Sequence, residues 1–426
     1  MVLGLAYMVI VPPFEAPDEP AHFLRAWSVA EAQWVVRDHP DDVVTFILEE
    51  MSKRHEIEAN PLFKDMLRIT DSGDPRVPNL AFNTSLYSPI PYIFHAGAIK
   101  VLKGSVTLDQ IFYACRLVSL LIFTCSVFFI FSRLGSWSWP VFWIACTPMA
   151  LSQASVISTD GILFSAVGIM VVTAIFPRGK ADYAIVFLSI FFIGLTKSTY
   201  IVLAIFPFLS VYYNKALRFP FFVGLAVTVF CIIAWQFILE KNNIIEHSIE
   251  FIRMYTFRDV DPRAQLSMII NNPAGFMAVL WSSIIYEISG HMKQFIGVLG
   301  WLHIFIPGWI YAAWLMIACL SMFSLEKSEV IKDHFYLYTG LWGLAVGFMT
   351  CIGIFFSLYL IWMPVGASSI EIQGRYLHAP ALAAALCMGM LLPEIKKVKH
   401  VSIWIFPFMA LAINFTALYT VQSYYQ

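Results

Sequence analysis

Four ionisable side chains fall close together early in the chain, in Pro17-Asp18-Glu19-Pro20-Ala21-His22-Phe23-Leu24-Arg25. Pro12, Pro13 and Pro17 hold the entry extended. Asp18 then stands where an N-cap belongs, with Pro20 in a tolerated first-turn position, so a helix starts here. In that helix Asp18, His22 and Arg25 have i, i+4, i+7 spacing and share one face, with Glu19 beside them. Two carboxylates side by side, partly desolvated at a membrane edge, suit general-base work, because burial and a like charge both raise a carboxyl pKa. An arginine beside them offers a planar fork for a phosphate oxygen. The plain alternative is that Asp18 only caps a solvated helix. One histidine with two carboxylates is a weak ligand set for a divalent metal such as Mg or Mn, and that option stays open.

Further candidates lie far along the chain. Asp160 follows Ser158 and Thr159 at the start of an apolar run, as a helix cap or as a second site carboxylate. Lys197 sits between two apolar runs, as a snorkelling anchor or as a cation for a lipid phosphate. In Gln373-Gly374-Arg375-Tyr376 the glycine permits close backbone approach, and Arg375 could clamp a phosphate; a local salt bridge to Glu371, four residues earlier, competes. Trp301, in a stretch flanked by His291 and His303, suits packing on a sugar ring, or a place in an aromatic belt.

The elements that must position these residues are apolar. Of 426 residues, 59% are hydrophobic and only 13% charged, against a usual charged share of about 25%. This excludes a soluble globular, disordered or fibrous chain. A formal net charge of -1 gives no field to attract nucleic acid. Residues 12–86 hold 14 acidic and 7 basic residues, so one polar module is attached to an apolar body. The seven cysteines form no CxxC or Cys/His cluster and read as small buried hydrophobes.

A bilayer crossing needs about 20 apolar residues. Runs near 111–132, 137–156, 160–176, 182–197, 198–213, 219–239, 304–323, 335–360, 376–392 and 401–420 qualify or nearly do. Met1 to Val11 is too short, about 16 Å, and reads as the outer part of a truncated first helix. The expectation is an all-α integral membrane protein of about eleven spans, a single polytopic unit over 1–426. Arg133, Arg178, Lys180, Lys215, Arg218, Lys327, Lys332, Lys396, Lys397 and Lys399 then fall on the cytoplasmic side. The first loop (12–110), the 157–160 turn, Lys197, a second large loop (240–303) and 361–375 fall outside. That parity requires Tyr87–Leu102 to lie in the interface and Pro273–Ile288 to be interfacial or re-entrant.

Pro17-Asp18-Glu19-Pro20-Ala21-His22-Phe23 resembles the opening motif of a bacterial membrane family, domain of unknown function 2142. That family in turn resembles the C-type glycosyltransferases. Tyr87-Ser88-Pro89-Ile90-Pro91-Tyr92, Ser158-Thr159-Asp160-Gly161, Gly297-Val298-Leu299-Gly300-Trp301 and Gln373-Gly374-Arg375-Tyr376 fit the family in order, over nearly the whole chain. The resemblance implies transfer of a sugar, with inversion, from a polyprenyl phosphate or pyrophosphate carrier to an acceptor hydroxyl on the outer face of the plasma or inner membrane. The acceptor would be a glycan, a lipid or a protein, in cell-surface assembly. By position, Asp18 would be the catalytic base, and Glu19 would orient the acceptor or help bind a metal. His22, Arg25, Tyr87, Asp160, Lys197, Trp301, Gln373, Arg375 and Tyr376 would contact substrate. A transporter or flippase for a lipid-linked saccharide and a non-catalytic scaffold are the alternatives. A transporter should carry ionisable or helix-breaking residues deep in its spans, whereas here the ionisable groups crowd at one surface and the span interiors are nearly free of them.

Overall fold

The computed structural model describes residues 1–36, 41–53, 83–256, 258–325 and 333–426. Residues 54–82 of the first loop, and with them Lys327 and Lys332 of the orientation argument, lie outside the described residues. The described residues are mostly helical, in keeping with an apolar membrane protein.

The first run is α1 (Val2–Ile10), followed by α2 (Glu19–Ala30), α3 (Asp41–Ser52) and α4 (Ile93–Leu102). Next comes α5 (Leu108–Leu134), opened by a capping box in which Thr107 and Gln110 satisfy each other's backbone N–H. The run 137–156 is broken into α6 (Trp139–Ala145) and α7 (Pro148–Ala154). The break has a local cause: Thr147 Oγ1 accepts the N–H of Ala150 as a new cap, and Pro148 takes the first position, where no N–H is needed. Beyond it lie α8 (Asp160–Ile175) and α9 (Ala181–Thr196). The run 198–213 is not an α-helical span either. It is a 3₁₀ segment (Ser198–Ile205), then α10 (Phe208–Tyr213) restarting after Pro207.

α11 (Arg218–Lys241) leads into α12 (Ile244–Thr256), α13 (Pro262–Asn271), α14 (Pro273–Tyr286) and α15 (Ile288–Gly297). A two-residue antiparallel ribbon, β1 (Val298–Leu299) with β2 (Ile304–Phe305), pairs Val298 with Phe305. It is followed by α16 (Gly308–Ser321), α17 (Asp333–Ile361), α18 (His378–Leu391) and α19 (Lys396–Tyr425).

Four helical stretches among the described residues are long and apolar enough to cross a membrane: 108–134, 215–241, 334–361 and 402–425. The α13–α14 pair, bent by 108° at an Asn272-capped Pro273, would make a fifth only if counted as one span. The other expected spans appear as shorter or broken apolar helices. α8 is buried on nearly all sides, as an all-round apolar helix must be, and packs between α5 and α18. At Gly168 a Cβ would stand 2.4 Å from Ile130 Cδ1, so the glycine sets how closely α5 and α8 approach. Cys115 and Cys387 are buried as expected, but Cys125 and Cys319 lie on exposed helix faces.

Two groups of connections are each drawn together in the structure. In one, Arg133 makes a two-point pair with Asp182 at 2.9 and 2.7 Å, and Arg178 donates to the Ser132 carbonyl at 2.8 Å. Two connections assigned to one side thus touch. In the other, the first loop, the turn before α8, Lys197 and the segment before α18 converge.

Candidate functional site

The loop between α1 and α2 turns sharply. Phe14 and Asp18 both have positive φ, 65° and 64°. Phenylalanine is a true outlier there, whereas aspartate is one of the few residues that tolerate it. Arg116 of α5 holds this shape. It donates to the carbonyls of Met8, Val11 and Pro12 at 3.0, 2.6 and 2.8 Å. It also grips Glu19 twice, at 2.8 and 2.6 Å, with both side chains fully buried. Glu19 accepts two backbone N–H groups besides, from Phe14 at 3.1 Å and Ile157 at 3.0 Å. Glu19 is therefore wholly enclosed, with both carboxylate oxygens taken up by the protein's own groups.

Asp18 next to it points elsewhere. Its side chain makes no cap bond, because the left-handed backbone turns it away from the N–H groups of α2. Instead it meets Arg375 at 2.5 Å and is 28% exposed. Arg375 is buried, and its fork is nearly used up. Nε donates to Gln373 at 2.6 Å, Nη1 to the Pro17 carbonyl and to Gln153, each at 3.2 Å, and Nη2 to Asp18. That is four of its five N–H donors. Arg375 is brought in by Gly374, where a Cβ would stand 2.4 Å from the His291 carbonyl oxygen of α15, so the close approach expected of this glycine is present. Its carbonyl is held in turn by His378 Nδ1 at 2.9 Å; since a carbonyl only accepts, that nitrogen carries the proton. The local Glu371 bridge does not form: Glu371 pairs with Arg258 at 3.0 and 2.9 Å.

Asp160, first residue of α8, completes the cluster. One oxygen meets Lys197 at 2.5 Å and the other lies 3.5 Å from Arg375 Nη1. Two acidic and two basic side chains thus alternate as Asp18, Arg375, Asp160 and Lys197. The Lys197 ammonium also stands 4.7 Å from the Tyr376 ring centroid and 5.8 Å from that of Tyr87, within cation–π range. Beside Lys197 opens a cavity of about 320 Å³, bordered by Tyr87 and Tyr376.

His22 backs the cluster. It shares a 2.8 Å hydrogen bond with Tyr92 and stacks on Tyr87. Burial pushes its imidazole down to about 3, with the Asp18 carboxylate opposing only in part, so the ring is neutral at ordinary pH. Burial, reinforced by Asp18, raises the Tyr87 phenol and keeps it protonated.

Arg25 does not join the site. It donates to the carbonyls of Trp34 and Tyr87 at 2.9 and 3.0 Å and ties the end of α2 to the loop before α4. Trp301 anchors the β-ribbon to the first loop through a 3.0 Å bond from its indole N–H to the Phe14 carbonyl. Among the described residues no group of three or more His, Cys, Asp or Glu side chains could hold a metal ion. Asp18, Glu19 and His22 point apart: to Arg375, to Arg116 and to Tyr92.

Arg116, Gln153, Tyr92 and His378 were not singled out from the sequence. Arg116 carried a usable signal, since a lone arginine inside an apolar run must have a partner. Gln153, in the run 137–156, carried a fainter one of the same kind.

Residues 1–384 match the model of a family described as predicted membrane protein (DUF2142), and the chain belongs to that family. No curated protein and no solved structure matches the chain.

Proposed function

We propose that this member of the family is an integral-membrane glycosyltransferase that uses a sugar linked to a polyprenyl (pyro)phosphate. The reading extends to an outward-facing site, within a topology of about eleven crossings in which shorter and broken helices complete the bundle. One observation carries it: a part-open carboxylate and a lysine stand in one cluster beside a cavity, built from four connections far apart in sequence. A scaffold would have no need of a part-exposed carboxylate in one cluster with a lysine that borders a cavity.

The chemistry follows from what each side chain has left to offer. Asp18 takes the proton of the acceptor hydroxyl as that oxygen attacks the anomeric carbon. The bond from the anomeric carbon to the carrier phosphate oxygen breaks, its electron pair stays with the phosphate, and configuration inverts. Lys197 meets the phosphate: an ammonium has three donors, and one goes to Asp160. Arg375 orients Asp18 rather than gripping phosphate, because its donors are engaged by the protein. Glu19 acts through Arg116 as a positioning residue that fixes the loop presenting Asp18. The neutral His22 and the Tyr87 and Tyr376 rings line the acceptor and sugar side.

Purified protein incubated with a panel of radiolabelled polyprenyl-linked sugars, together with extracted envelope glycans and lipids as acceptors, tests the reading. Sugar transfer that needs Asp18 is expected. Carrier-linked sugar moved across vesicles without any transfer would favour the flippase instead.

A further inference from the structure

The cavity beside Lys197 has a charged end and walls that are more apolar than polar. Lys197, Tyr87 and Tyr376 mark the charged end; Ile232 and Trp235 of α11 and Ile354 and Leu358 of α17 supply apolar lining, interrupted by Gln236 and Ser357. Both helices belong to stretches long enough to cross a membrane. The outer face of α11 is apolar and bare, with Phe230, Ile233 and Phe237 each more than 60% exposed, so this wall borders hydrocarbon. The gap follows from the backbone. Where a full α-helix was expected to fill 198–213, the 3₁₀ segment Ser198–Ile205 lies between α11 and α17 and ends at the break before Pro207.

Size decides what can enter. About 320 Å³ lies at the bottom of the range of roughly 300–1,000 Å³ usual for small-ligand sites. A carrier of many isoprene units cannot be contained. We propose that the cavity takes one apolar chain by its first few carbons only, with the phosphate at Lys197, while the rest of the chain runs out between α11 and α17 into the bilayer. The inference rests on the glycosyltransferase reading and deepens it: the protein recognises the phosphate and the head-proximal carbons, and does not read carrier length. Carbons beyond the cavity are surrounded by lipid whether or not the head is bound. Lipid tails are as apolar as leucine, so those carbons add no affinity. Carbons inside the cavity gain close packing against Ile354 and Leu358, and so do contribute.

Binding tests this without any turnover. The detergent-purified full chain is titrated, by native mass spectrometry, with sugar phosphodiesters on prenyl chains of ten, twenty and fifty-five carbons. Inorganic phosphate, a methyl phosphodiester and phosphatidylglycerol serve as comparisons. Dissociation constants within about threefold from ten to fifty-five carbons are expected, with at least tenfold weaker binding of all three comparisons. Ile232→Trp, which fills the cavity from a partly exposed helix face, should weaken the ten-carbon ligand at least tenfold; Leu358→Phe offers the same test from the opposite wall. Affinity that climbs steadily with length would overturn the proposal. So would equal binding of free phosphate or phosphatidylglycerol, or parental binding by both filled variants. Length-independent binding with no transfer to any acceptor would instead leave this site standing and remove the transfer reading; transfer from long carriers alone would do the reverse.

Discussion

Glu19 and Asp18 are consecutive residues, each facing an arginine at close range, yet they belong to regions built on opposite terms. Around Glu19 every bond is closed: both partners are fully buried, the carboxylate takes two N–H groups besides Arg116, and Arg116 closes three carbonyls. Around Asp18 the site is open to the outside in part. The carboxylate is part exposed, and the Lys197 ammonium in the same cluster borders a cavity. The difference shows that pairing with arginine does not itself mark a reactive carboxylate. What separates the two is access, and here a positive φ at Asp18 sends two adjacent side chains in different directions.

The largest effect expected is on stability, in the closed region. Arg116→Met leaves Glu19 buried without its partner, which costs about 3–5 kcal/mol, much of the roughly 5–15 kcal/mol that holds a domain folded. In a detergent melting assay this variant should lose its cooperative transition or melt far below the parent. Adding Glu19→Leu removes the stranded charge but not the three bare carbonyls, so only partial recovery is expected. A parental melt in Arg116→Met would erase the contrast between the regions.

Next comes Arg375→Lys, which keeps the charge and loses the fork. Hydrogen bonds to charged groups contribute about 1.5–3 kcal/mol each, so misplacing Asp18 by losing one should slow transfer roughly tenfold to a hundredfold. Donor affinity should hardly move, because Arg375 serves the carboxylate. A fall in donor affinity with an unchanged rate would give Arg375 the phosphate role instead. Lys197→Gln should show the opposite split, with donor binding weakened roughly tenfold or more by loss of a charged bond and a smaller change in rate at saturation.

The last effect is in pH, and it is smallest near neutrality, where His22 does not titrate in the fold. His22 is neutral in the fold, at about 3, while an exposed histidine titrates near 6.5. Below 6.5 the unfolded chain gains a proton that the fold refuses, so this group's stability contribution is complete above 6.5 and is lost as pH falls toward 3. His22→Gln keeps a donor for Tyr92 and does not titrate, so its melting temperature should fall less steeply than the parent's between pH 7 and 4. Equal slopes would show that His22 is charged or exposed in the protein.

Much of this was legible in the residues, and the rest was hidden for physical reasons. The Asp18 and Gln373-Gly374-Arg375-Tyr376 motifs, Asp160 and Lys197 could be placed on one side of a membrane by basic-residue bias, and in the structure they meet. Their pairing could not be foreseen, since Asp18 to Arg375 spans most of the chain and depends on left-handed backbone at Phe14 and Asp18 that no local pattern announces. Local spacing misled at Arg25, whose i+7 position on the face of Asp18 counts for less than two carbonyls from other loops. It misled at Glu371 too, where a distant Arg258 outbids the neighbour four residues on. Hydropathy found the apolar runs but not the breaks at Thr147-Pro148 and Pro207, because side-chain caps and missing N–H groups do not register in a hydropathy average.

The account turns on Asp18 being reactive where Glu19 is structural, and one paired measurement addresses it. Asparagine tolerates the left-handed backbone as aspartate does and its amide oxygen still accepts from Arg375, so Asp18→Asn should melt only modestly below the parent, by the charge lost opposite Arg375, and bind donor normally. Its initial transfer rate should fall by about 100- to 10,000-fold, the usual share of a general base. Glu19→Gln, in the same preparation, should melt well below the parent, and whatever remains folded should keep most of its specific rate. Transfer by Asp18→Asn within about threefold of the parent, well short of that usual share, would contradict the account, and a stable but inactive Glu19→Gln would hand the chemistry to its neighbour.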